Sequence, residues 1–151
     1  MRRSSRTPVA GILFGLAAVA TAILVVGCGG RRYDPARATR PYPIDRPPTR
    51  MLEIQALRSG GDLILVNASP FAFENFDVWV NQRYMLDLGR LDVGETRVTW
   101  LGDYFDQWGE TPVAGGFFRT EAPTPAVLVE FEIDQEGPLF GAVAILDSSS
   151  Y

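Results

Sequence analysis

The chain has 151 residues, about one domain's worth, and a formal net charge of −4, with no His and a single Cys. Every one of its 14 basic residues is Arg, because Lys is absent as well. These absences exclude Ser-His-Asp and Cys-His nucleophiles and lysine Schiff bases, leave a zinc site nothing but carboxylates, and leave no second thiol for an internal disulfide.

Met1 to Arg6 carries three Arg and no acid, and Val9 to Val26 carries no charge at all. A cationic head followed by an apolar run and small residues has the form of a secretory signal. The run ends in Val25-Val26-Gly27-Cys28. Here the chain resembles the bacterial lipoprotein signal, whose lipobox reads Leu or Val, a small or β-branched residue, Gly or Ala, then Cys. The resemblance covers the first 28 residues only. It implies cleavage between Gly27 and Cys28, acylation of Cys28, and a mature protein held by membrane lipid outside the cytoplasm, in the bacterial envelope. Gly29, where inner-membrane lipoproteins tend to carry Asp, implies the outer membrane. Two or more acyl chains hold a protein stably where one does not, at about 0.8 kcal/mol per buried CH₂. The alternative is an uncleaved single-span anchor, since eighteen apolar residues reach the lower edge of the spanning range of about 17–25. Arg2-Arg3 lacks the pattern that follows the arginines of a twin-arginine signal.

Residues 1–27 are therefore assigned as signal, 28–50 as a linker, 51–147 as the folded domain and 148–151 as a fraying tail. The linker holds Pro35, Pro41, Pro43, Pro47 and Pro48 with six Arg against two Asp, a charge of +4. Its composition predicts a disordered, extended stem of roughly 70 Å at about 3.1 Å per residue. From Met51 onward five Arg face sixteen acids, a charge of −11. A basic stem suits an anionic membrane surface, and an acidic head disfavours nucleic acid as a partner.

Leu52 to Ala56 alternates apolar and polar, as a strand does. The turn Ser59-Gly60-Gly61-Asp62 leads to Leu63-Ile64-Leu65-Val66, a run predicted to be buried on both faces. Phe76, Val78 and Val80 share one face of the next strand, which places Trp79 on the polar face. Asn81-Gln82-Arg83 turns that strand into Tyr84 to Leu88, giving a hairpin. After Asp92 to Glu95, the phase of Thr96, Val98 and Trp100 predicts that Trp100 points into the core. Residues 103–125 read as mainly loop, with Phe117-Phe118 as a short strand. Val127, Val129, Phe131 and Ile133 then alternate with Leu128, Glu130, Glu132 and Asp134, and Leu139 to Leu146 is the last strand. Six to eight short strands without helical periodicity predict an all-β fold, a small antiparallel sandwich on the immunoglobulin or fibronectin plan, with a small barrel as the alternative.

Trp79, Tyr104 and Trp108 are the candidate ligand-binding residues, as an aromatic face for an envelope protein or a polysaccharide. The second of these would make the domain a carbohydrate-binding module. An open sheet edge offers a partner another route, by strand addition. Asp103, Asp106 and Glu110 form a candidate calcium set, without the spacing of an EF-hand. No catalytic residue and no cofactor is assigned: paired carboxylates can cleave glycosides, but they need a cleft that a domain of this size seldom has. The reading is a non-enzymatic envelope lipoprotein that binds or scaffolds a partner.

Overall fold

A computed structural model describes residues 32–113 and 123–145. These residues are all-β, with two one-turn 3₁₀ segments and no α-helix. Seven strands form the sheet: β1 (Arg50–Ser59), β2 (Asp62–Asn67), β3 (Phe73–Val80), β4 (Tyr84–Leu91), β5 (Thr96–Trp100), β6 (Val129–Glu132) and β7 (Leu139–Ile145). Their order is β4-β3-β6-β7-β1-β2-β5, antiparallel throughout except where β7 lies parallel to β1. It is one mixed sheet, not two antiparallel ones.

The turns follow from the residues that tolerate them. Gly60 takes a positive φ of 57° between β1 and β2, which a residue without Cβ does freely. Asn81 and Gln82 are both left-handed between β3 and β4. Asn81 tolerates this because its short amide bonds locally: its Oδ1 accepts from the amides of Val127 and Leu128, and its Nδ2 donates to Pro125 O.

The end strands of the sheet, β4 and β5, are consecutive in the chain and joined only by Asp92 to Glu95. That connection curls the sheet until it is nearly barrel-shaped. Asn67 sits at this seam: its backbone N–H donates to Glu95 O, and its O accepts from Gly94 N. Farther along the seam, the 3₁₀ turn Leu101–Asp103 carries the chain back to β4. There Phe105 and Met85 exchange both backbone hydrogen bonds.

Inside lie Ile54, Leu63, Leu65, Phe76, Val78, Leu91, Tyr104, Val129 and Phe131. The Phe76 and Phe131 rings meet edge to face at 5.7 Å. Leu63 and Leu65 are buried while Ile64 and Val66 are half-buried, so β2 alternates and is not covered on both sides. The phase of β5 is the reverse of that expected. Leu63 pairs with Thr99 and Leu65 with Arg97, and cross-strand partners share a face. Arg97 and Thr99 therefore turn inward, while Val98 and Trp100 are 57% and 46% exposed. The pairing partner sets the phase, and the apolar residues of one short strand do not reveal it. Phe117-Phe118 and the tail lie outside the described residues.

Candidate functional site

Residues 32–49, read from composition as a disordered stem, lie as a strap across the sheet. Arg32 and Thr111 exchange two hydrogen bonds, Tyr33 bridges to Glu110, and Asp34 N donates to Gly109 O at 2.8 Å. Asp34 caps the 3₁₀ turn Pro35–Arg37 by accepting from Ala36 N. Thr39 bonds to the carbonyls of Asp106 and Phe105, and Thr49 N donates to Leu139 O. Composition misled because it counts apolar residues only. Five prolines restrict the unfolded strap, so ordering it costs less than usual, and its Arg and Tyr side chains meet acids presented by the sheet.

Those acids are Asp77 on β3 and Glu130 and Glu132 on β6. Alternation in β6 sends Val129 and Phe131 inward and both Glu outward, yet all four residues are buried because the strap covers the outer face. Arg40 Nη2 donates to Asp77 Oδ2 and to Glu132 Oε2, and Arg46 Nη2 donates to Glu132 Oε1 at 2.6 Å. The Trp79 indole N–H donates to Glu132 Oε2 at 3.0 Å. Tyr42 meets the Trp79 ring edge-on at 5.4 Å, the Arg40 guanidinium lies 5.0 Å from it, and the Tyr42 hydroxyl donates to Glu130 Oε2 at 2.9 Å.

The two neighbouring glutamates are driven apart in acidity. Burial pushes Glu132 up, but the hydrogen bonds from Arg40, Trp79 and Arg46 outweigh it and hold the carboxyl below its ordinary value. Among the described residues no cation offsets the burial of Glu130, and its carboxyl is raised despite the Tyr42 hydroxyl. Its Oε1 is buried without a hydrogen-bond partner among the described residues. Burial also raises the Tyr42 hydroxyl, to about 12, with Glu130 adding to the effect. For Glu130 the folded state prefers the protonated acid, so its contribution is complete at low pH and is lost as pH rises through the raised value. Glu130→Gln, which cannot ionise, is expected to gain stability relative to the wild type as pH rises from about 4 to about 8, because only the wild type must then keep or lose a buried proton. Urea midpoints of both proteins at the two pH values measure this. A difference independent of pH would mean that the carboxyl is not shifted.

Beside the strap the turn at Asp106 is held by its own side chain. Asp106 Oδ1 accepts from the amides of Trp108 and Glu110, and Oδ2 accepts from Arg83 Nε and Nη2 at 2.9 and 2.6 Å. These bonds outweigh the burial that pushes its carboxyl up, so the group stays below its ordinary value. Gly109 closes the turn at φ 84°, and a Cβ there would run into the Asp34 carbonyl. Between this turn and the strap lies a groove of about 440 Å³, with Tyr42, Ile44, Gln82, Arg83, Gln107 and Trp108 among its walls. Gln82 Nε2 donates to the Tyr42 hydroxyl, and the Arg83 guanidinium lies between the Tyr84 and Trp108 rings, 5.0 and 5.7 Å from them. Trp108 is 58% exposed. The groove combines aromatic faces with polar groups fixed in place, the usual make-up of a binding surface.

Of the three expected aromatic binders, the structure leaves only Trp108 at the surface. Trp79 is fully buried beneath Tyr42 and Arg40, and Tyr104 is buried with its hydroxyl 2.7 Å from Thr99 Oγ1. The three acids of the calcium set do not converge. Asp106 and Glu110 accept from Arg83, and Asp103 lies 3.6 Å from Arg37. Among the described residues no group of three His, Cys, Asp or Glu could hold a metal ion. Gly27 and Cys28 lie outside the described residues. Arg40, Tyr42, Arg46, Asp77, Glu130 and Glu132 were missed by motif reading, and their signal was the charge asymmetry, +4 over residues 28–50 and −11 from residue 51 onward. No helix among the described residues is long and apolar enough to cross a membrane, and the apolar run 9–26 is not among them. No family model, no curated protein and no solved structure matches the chain.

Proposed function

We propose that this is a bacterial envelope lipoprotein, anchored by lipid on Cys28, whose non-enzymatic β domain binds an envelope component through the groove beside Trp108. The observation that carries the reading is positional. Cys28 of the lipobox stands four residues ahead of Arg32, where the strap is already bonded to Thr111. A membrane anchor at that position holds the folded body directly, without a free stem. Of the two architectures expected, the small barrel suits a single sheet whose end strands are joined by a four-residue turn. A binding role is supported by how the acids are used: Glu132 and Asp106 are each held by Arg and by N–H donors, and Glu130 lies under Tyr42.

The test is the intact mass of the protein extracted from its membrane, beside a Cys28→Ala variant. The expected mass is that of residues 28–151 plus acyl chains, absent in the variant. A mass for all 151 residues without lipid would establish the single-span alternative and overturn the lipoprotein reading.

A further inference from the structure

From the short tether and the side chains around it, we infer that the groove face of the domain is seated on the bilayer surface, with Trp108, Tyr33 and Ile44 at headgroup level. This rests on acylation of Cys28, and it makes the lipid headgroup the envelope component that the groove takes. Four residue steps separate Cys28 from Arg32, a reach of about 14 Å at most. Arg32 and Asp34 are bonded to Thr111 and Gly109, so the tether brings the Trp108 turn close to the membrane.

The residues gathered there suit that place. Tyr33 is 67% exposed and Ile44 80% exposed, and Trp108 shares the groove with Ile44. Trp and Tyr concentrate at membrane interfaces because a ring can lie among the acyl carbons while its polar end meets water and headgroups. Gln107, also on the groove wall, supplies an amide donor for headgroup phosphates beside the aromatic rings.

The acylated protein is reconstituted into vesicles of phosphatidylethanolamine and phosphatidylglycerol containing brominated phosphatidylcholine, and its Trp fluorescence is read. The chain has three Trp: Trp79 is buried, Trp100 lies on the outer face of β5, and Trp108 lies in the groove. The lipid bromines are expected to quench the wild type, Trp108→Phe is expected to lose most of that quenching, and Trp100→Phe to keep it. Aqueous iodide should reach Trp100 and not Trp108. Iodide quenching of Trp108, or bromine quenching that survives Trp108→Phe, overturns the seating. Intact mass on the same vesicles separates the two levels. Acyl chains without bromine quenching overturn the seating alone, and no acyl chains overturn the anchor and the seating together.

Discussion

Replacing Glu132 with Ala is expected to cost about 3–5 kcal/mol, the range for removing one partner of a buried charged cluster. One carboxylate accepts from Arg40, Arg46 and the Trp79 indole, and it is itself buried. Without it the indole N–H is left in a site closed to water, and two guanidiniums remain, with Asp77 as the other carboxylate accepting from Arg40. The expected result is more than lost stability, because these bonds are what fasten the middle of the strap. Trypsin should cut the variant at Arg37 and Arg50 under conditions where the wild type is resistant, and the urea midpoint should fall with it. A variant that loses stability but keeps its strap protected would mean that Tyr42 and the Arg32–Thr111 pairing suffice to hold it.

The second large effect is expected at Asn67. Its Nδ2 donates to Phe71 O and Asp92 O at 2.7 and 2.9 Å, and its Oδ1 accepts from Ser69 N and Oγ at 3.0 and 2.7 Å. The side chain is fully buried and ties the end of β2 both to the corner before β3 and to the turn that joins the two end strands of the sheet. Asn67→Ala leaves several of these groups unsatisfied, at a cost of about 3 kcal/mol, and should lower the melting temperature on the order of 15 °C. Hydrogen exchange identifies the cause. The Gly94 amide, which donates to Asn67 O, should lose protection ahead of the amides shared by β1 and β2. Equal loss everywhere would mean that the seam does not open separately.

Much of the fold was readable in the chain because strands and turns are local. The alternation in β1, β3 and β6, the glycines of the β1–β2 turn and Asn81 each signal structure over a few residues. The placement of side chains needed partners far away in sequence. Trp79 is out of phase with Val78 and Val80, which is correct, but that face is polar only until Tyr42 and Arg40 cover it. Trp100 is in phase with Val98, yet both point outward because Thr99 and Arg97 are the residues that face the same side as Leu63 and Leu65. Among the candidate binders, Trp108 alone was both named and found exposed. It lies in a turn fixed by its own neighbour, Asp106, so short-range chemistry was enough.

The strap has a further consequence, in time rather than in energy. Tyr42 must wait 88 positions along the chain for Glu130, Arg46 86 positions and Arg40 92 for Glu132. The parallel pairing of β1 with β7 spans a comparable distance. Contacts that distant form late, because the loop between them must close before they contribute. The part of the domain synthesised first is therefore among the last to settle. Until β6 arrives, Arg40, Arg46 and Tyr42 have no Glu to bind, and the Trp79 face of β3 stands uncovered. The hairpins made before it can pair on their own, but the middle of the strap gains its glutamate partners only once Val129 to Glu132 has been made, and the cover and the strand beneath it then close together.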